Sequence, residues 1–231
     1  MSDTTNASGL LVVAGTDTEI GKTTVACALL AAWSDQGREV RGIKPVESGT
    51  AEQVDRGDED GRRLARAAGQ DEPIEALQRL KAPLAPPVAA RDEGVELEPD
   101  RWFETIRDIA GDAEITLVEG AGGLLSPLAD GVDTRTTAHE LDASVILVAS
   151  DSLGTLNHTF LTMEALQRSG VEVVGVAFSA PETSDASTGR NAEVVASRFP
   201  ELPVVSLPRL TTVDERAKAL SDSGFCDAVM D

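Results

Sequence analysis

The sequence Gly15-Thr16-Asp17-Thr18-Glu19-Ile20-Gly21-Lys22-Thr23 lies between an apolar run and a helical pattern. That setting is what a phosphate-binding loop requires, since backbone N–H groups at the loop and helix start face phosphate oxygens. Gly21 allows close approach, Lys22 brings positive charge to the terminal phosphates, and the Thr23 hydroxyl can ligate magnesium. The two glycines enclose five residues, one more than the common spacing. A chance Gly-Lys-Thr in a loop would lack the strand before it and the helix after it. A nucleoside triphosphate, ATP, is the expected ligand.

Two further segments carry chemistry. Ile115-Thr116-Leu117-Val118-Glu119-Gly120-Ala121-Gly122-Gly123 is an apolar strand ending in a carboxylate and a small-residue loop. Glu119 is either the magnesium-side carboxylate of a nucleotide site or a solvated glutamate at a turn; beside the phosphate loop the first reading is favoured. In Gly42-Ile43-Lys44-Pro45-Val46-Glu47-Ser48-Gly49, Lys44 ends a short buried strand on the same rim. It would neutralise a transferring phosphoryl group or a carboxylated substrate, or else be a rim lysine in water.

The elements that must position these groups are short apolar strands at 10–14, 40–44, 115–119, 144–150, 171–177 and 204–207. Helical patterns lie at 23–36, 60–68, 100–110, 156–169 and 190–199. This alternation predicts an α/β chain with a mostly parallel sheet covered by helices on both faces. Three stretches interrupt it. Residues 50–61 are acidic and expected to form a mobile loop, 83–87 are proline-rich and cannot be mid-helix, and 180–189 are small and polar. No repeat or linker divides the chain, so 1–231 is expected to be a single domain with 1–9 flexible.

Composition narrows the partners. The 231 residues carry 40 acidic against 20 basic side chains, a net charge of -20 that repels nucleic acid and anionic membranes. Lysine is confined to Lys22, Lys44, Lys81 and Lys218. Acidity spread along a lysine-poor chain fits a halophile, because salt screens carboxylate repulsion; a plain acidic protein is the alternative. No stretch approaches the roughly 18 apolar residues of a membrane span, and the polar start does not read as a signal peptide, so a cytoplasmic protein is expected. Cys27 and Cys226 match no metal spacing and read as buried thiols.

Together the segments at 15–23, 44–49 and 118–123, with Leu153-Gly154-Thr155-Leu156-Asn157-His158, resemble the dethiobiotin synthetase family across nearly the whole chain. The resemblance implies a three-layer P-loop NTPase fold. It implies ATP- and Mg2+-dependent closure of a ureido ring from 7,8-diaminopelargonic acid and CO2, through a carbamate and a carbamic-phosphoric anhydride. By that resemblance Lys44 and Lys22 are catalytic, and Thr23, Asp60 and Glu119 hold the metal. Asp60 lies in a charged stretch with Asp55, Asp58 and Glu59. Glu19, Ile20, Gly21, Lys22, Thr23, Thr24, Glu119, Gly120, Ala121 and Gly122 bind nucleotide. Pro208, Arg209 and Leu210 form the adenine-side loop. Thr18 and Ser48 contact substrate, as do Gly154, Thr155 and Asn157 at a helix start that in the family comes from the other subunit of a homodimer. Where the family often has an adenine-reading asparagine, this chain has Ser179, a single hydroxyl in place of an amide's donor and acceptor. Looser base selectivity is the expectation.

Two alternatives share the loop. Ligases that amidate corrin-ring carboxylates usually carry a glutamine-hydrolysing domain with a nucleophilic cysteine; here Cys27 lies in the phosphate-loop helix. Switch ATPases of the partition or septum-positioning type typically carry an extra lysine early in the loop, where this chain has Thr16. His139 and His158 are given no chemistry, and Trp33 and Trp102 read as packing residues.

Overall fold

A computed structural model describes residues 9–50 and 59–231. Six strands form a parallel sheet: β1 (Gly9–Gly15), β2 (Val40–Ile43), β5 (Ile115–Glu119), β6 (Ser144–Ser150), β7 (Val173–Ser179) and β8 (Val204–Leu207). Their order across the sheet is β2-β5-β1-β6-β7-β8. A short parallel pair, β3 (Val46–Glu47) with β4 (Gln78–Arg79), stands apart.

Period-two alternation divides each strand between two cores. In β1, Val12 and Ala14 face one apolar cluster while Leu11 and Val13 face the other. The first cluster takes Trp102, Phe103 and Ile106 of α4 (Pro99–Gly111), Leu166 of α6 (Thr155–Arg168) and Val195 of α7 (Asn191–Arg198). The second takes Leu29 and Trp33 of α1 (Lys22–Asp35), Leu64 of α2 (Asp60–Ala68) and Leu220 of α8 (Val213–Asp222). Burial on both faces explains why the strands read as unbroken apolar runs. Trp33 and Trp102 are core residues whose indole N–H groups donate to Cys226 O and Gln78 Oε1.

Several expectations are corrected. The prolines at 83–87 keep out of any helix interior, as expected, but Pro86 and Pro87 occupy the first turn of a helix, α3 (Pro86–Glu93), where a missing N–H costs nothing. The helical pattern expected at 60–68 coincides with α2, so Asp60 and Gly61 belong to that helix and not to the loop expected over 50–61; Asp55 and Asp58 lie outside the described residues. Gly9 belongs to β1, where its N–H donates to Glu114 O. β7 begins and ends two residues later than expected, so Ser179 closes the strand instead of following it. Four helices lacked an expectation: α3, α5 (Thr134–Glu140), α8 and α9 (Phe225–Ala228).

Chain progression reverses at β1, with β2 and β5 on one side and β6–β8 on the other. The carboxyl ends beside such a switch point open the crevice where parallel sheets place ligands. Below it both cysteines are buried. Burial pushes the Cys27 thiol up to about 12 and the Cys226 thiol up to about 11. Both should therefore resist Ellman's reagent in the folded protein and react only on denaturation. Rapid modification of either thiol under native conditions would contradict this packing.

Candidate active site

The phosphate loop leaves β1 at Gly15 and returns as α1 at Lys22. A Cβ on Gly15 would stand 2.8 Å from Lys22 Cδ, so glycine here makes room for the lysine to fold back over the loop. Lys22 Nζ then donates to Asp17 O at 2.8 Å. Burial, seconded by the charge of Lys44, lowers the Lys22 pKa to about 8 against the opposing pull of Glu119, Asp60 and Asp17. Gly21 caps α1 at φ 95°, a left-handed conformation, and a Cβ there would lie 2.3 Å from Ser179 Oγ. Glu19 also has positive φ, 56°. An L-residue held there carries backbone strain of roughly 1–3 kcal/mol, as functional loops often do.

Beside the loop, Lys44 is 3% exposed and Glu119 1% exposed. Lys44 Nζ donates to Glu119 Oε1 (2.7 Å), Asp60 Oδ2 (2.9 Å) and Gly120 O (3.2 Å). Thr23 Oγ1 lies 2.7 Å from Glu119 Oε1 and 2.9 Å from Asp60 Oδ1. Burial pulls the Lys44 pKa down, but the charges and hydrogen bonds of Glu119 and Asp60 outweigh it and the net shift is upward. The two acids divide. Burial drives Glu119 up despite Lys44, whereas at Asp60 the desolvation is overcome by Lys44, Thr23 and Arg63 and the pKa falls. The ammonium is thus the firmly charged member, and the deeper carboxyl is the one easier to protonate.

These oxygens fit a divalent cation. Glu119 Oε2 is buried with no hydrogen-bond partner among the described residues, and Thr23, Asp60 and Glu119 present hard oxygen donors to one space. Among the described residues no three or more His, Cys, Asp or Glu side chains are grouped so as to hold a metal ion by themselves. The protein would therefore supply a few ligands and leave the rest to phosphate and water, which suits magnesium.

The cleft has two lobes that share Glu19, Gly21 and Thr24. One, of about 460 Å³, is lined by Lys22, Thr23, Lys44, Asp60 and Glu119, with Thr18, Ser48, Ala121 and Gly122 along its walls. The other, of about 510 Å³, is bounded by Ile20, Ser179, Pro208, Arg209 and Leu210. Gly120 contributes its carbonyl to Lys44. Gly154, Thr155 and Asn157 open α6 but line neither lobe. Sequence reasoning missed Arg63, whose Nη1 stands 3.6 Å from Asp60 Oδ1 in the first lobe, and Glu47 beside it. An i,i+3 pairing on the helix at 60–68 would have flagged Arg63.

Gly21 gives the sharpest local test. Gly21→Ala should weaken ATP binding at least tenfold by calorimetry, because the substitution strains φ and collides with Ser179. Adding Ser179→Gly should restore only part of the affinity, as the backbone strain remains. Unchanged binding in the single variant would overturn this geometry.

Comparison with known proteins agrees with the cleft. Residues 10–217 match a family described as an AAA domain. The chain is 42% identical over 214 residues to ATP-dependent dethiobiotin synthetase BioD of Anaeromyxobacter dehalogenans (strain 2CP-C), covering 91% of this chain and 94% of the relative. It is 34% identical to the protein of that name from Corynebacterium diphtheriae, over 96% of both. Among solved structures, the Pyrococcus furiosus cell division ATPase MinD superposes with a TM-score of 0.58 at 14% identity, covering 96% of this chain and 98% of that one. A likeness at that identity shows a shared P-loop fold and does not favour a switch ATPase. With the phosphate loop, the lysine between two acids and relatives matched nearly end to end, the chain belongs to the family of ATP-dependent dethiobiotin synthetases.

Proposed function

We propose that this protein joins CO2 to 7,8-diaminopelargonic acid and closes the ureido ring of dethiobiotin at the expense of ATP, as a step of biotin synthesis. The observation that carries this reading is Lys44, a buried cation on the rim of the phosphate lobe. One amine of the substrate takes up CO2 and loses a proton, giving a carbamate. A carbamate oxygen takes the γ-phosphoryl group and ADP departs. The second amine attacks the carbonyl carbon of the mixed anhydride, loses a proton and expels phosphate. Each stage brings anionic oxygens together, so catalysis is chiefly positioning and charge neutralisation.

Lys22 holds the terminal phosphates and Lys44 the transferring group. Thr18 and Ser48 contact the diamine. Thr23, Asp60 and Glu119 would hold Mg2+, which supplies further positive charge to the phosphates. Glu19, Ile20, Gly21, Thr24, Gly120, Ala121 and Gly122 bind the nucleotide. Ser179, Pro208, Arg209 and Leu210 meet the base. Glu182 and Arg216 of that lobe join them.

Gly154, Thr155 and Asn157 serve the cleft of a second subunit, which accounts for their distance from their own. Exposed leucines support a homodimer: Leu161 (58% exposed) and Leu125 (54%) line a groove between α6 and residues 123–127, and Leu153, just before α6, is 84% exposed. Sedimentation as a 24.2 kDa monomer at assay concentrations would exclude it. No helix among the described residues is long and apolar enough to cross a membrane. A cytoplasmic enzyme of one domain, acting on small molecules and not on nucleic acid, fits this reading.

The decisive assay mixes protein, ATP, Mg2+, bicarbonate and diaminopelargonate and seeks dethiobiotin by mass spectrometry. Absence of product at both low and high salt would defeat the proposal. Lys44→Ala should lower kcat by about 10²–10³ while ATP binding is largely kept, the scale of losing one charge-stabilising group. Retained turnover would remove Lys44 from the mechanism. Because Ser179 offers one hydroxyl, CTP or GTP should support turnover within about tenfold of ATP, the worth of one neutral hydrogen bond. Strict ATP dependence would place base selection in the backbone of 207–211 instead.

A further inference from the structure

Asp60 faces the cluster from the first position of α2, where helix N–H groups need partners from outside the helix. Its preceding residue cannot supply them. Glu59, at the N-cap, makes no side-chain cap bond, and its carboxylate is instead turned to Arg79 and Arg62. The partner comes from β3. Glu47 accepts from Asp60 N at 2.6 Å through Oε1 and from Gly61 N at 3.1 Å through Oε2. Both bonds converge on one carboxylate that is 4% exposed and lies on the wall of the phosphate lobe.

We propose that Glu47 is a positioning residue that sets Asp60 as a metal ligand by clamping the N-terminus of α2. The proposal rests on the magnesium reading of Thr23, Asp60 and Glu119 given above. A two-point clamp fixes the helix start against both rotation and translation. A single-point cap would leave rotation free. The clamp acts on the residue whose side chain must reach Thr23 and Lys44, so an error in the helix start passes directly to Asp60 Oδ1 and Oδ2. Charge assists it, since a carboxylate at a helix N-terminus meets the positive end of the macrodipole. β3 is held in turn by its pairing with β4, where Glu47 O accepts from Leu80 N at 2.8 Å. Lys44 lies three residues before Glu47, so one short segment delivers both the cation and the clamp to the cluster. Partners behind a metal ligand typically matter by about 10- to 100-fold in metal affinity.

The test compares wild type, Glu47→Ala and Glu47→Gln by calorimetry with a non-hydrolysable ATP analogue, once with Mn2+ and once with EDTA. Electron paramagnetic resonance of free Mn2+ provides a second reading. The alanine variant should lose about tenfold or more of its affinity in Mn2+ and less than twofold in EDTA. Glutamine keeps one carbonyl acceptor and should recover part of the loss. If alanine fails to fold, as circular dichroism would reveal, the glutamine variant decides by the same contrast between Mn2+ and EDTA. Equal losses with and without metal would show a structural role alone and overturn the proposal, as would unchanged affinity in Mn2+. Neither measurement needs turnover, so absence of dethiobiotin in the wild-type assay would defeat the functional reading without deciding Glu47.

Discussion

Four chain segments meet in one charged cluster around the Lys44 ammonium. Lys44 stands between Glu119 at the end of β5 and Asp60 at the start of α2, and the Thr23 hydroxyl of α1 touches both acids. At an effective dielectric near 20, each ion contact at this spacing is worth roughly 6 kcal/mol, while desolvating each ion costs several. Gain and cost nearly cancel, so the cluster does little for net stability. What it provides is a fixed arrangement of one cation, two carboxylates and a hydroxyl, with Lys44 and Glu119 buried and Asp60 partly open to the cleft. The site's polarity is therefore set before any ligand enters, and reorganisation during reaction is reduced.

The cluster depends on sheet register. Val13 pairs with Glu119 and Ile43 with Val118, so β1, β2 and β5 end together on one rim. A slip of one residue would turn Glu119 to the opposite face and break the cluster along with the core. On the other side of β1, β7 carries Ser179 to the same rim, where its hydroxyl packs against Gly21. That contact is the hinge of the cleft. It lies where the two lobes meet at Gly21, and it permits nothing larger than glycine at position 21.

The parallel sheet was legible because its strands are buried on both faces and so read as unbroken apolar runs. The phosphate loop was legible because its chemistry is local: glycine, lysine and threonine act through their immediate backbone. The helix at 60–68 was legible from its composition, but its cap was not, because that cap is not local. A carboxylate 13 residues away, on a two-residue strand without periodicity, does the work of an N-cap. For α8 a local signal existed, since Thr212 and Glu215 form a capping box, as did Asp133 accepting from Thr136 N at α5. Those helices are short and their apolar faces narrow, which left the capping residues as the informative ones. The placement of Gly154, Thr155 and Asn157 away from their own cleft follows from tertiary geometry, which no spacing along the chain encodes.

Charge sets a last constraint. A molecule of net charge -20 is proposed to admit triphosphate and carboxylate ligands, and two of its four lysines, Lys22 and Lys44, stand in the phosphate lobe. The two effects act over different distances. Repulsion from surface carboxylates acts through solvent and is screened within about 8–10 Å at ordinary ionic strength. Attraction from Lys22, Lys44 and the ends of backbone N–H groups acts at contact, from lysines that are themselves buried, where salt screens it far less. Added salt therefore weakens the barrier to approach more than the grip on the bound anion. An acidic surface and an anion-binding cleft are compatible on this chain because burial keeps the second outside the reach of the screening that relieves the first.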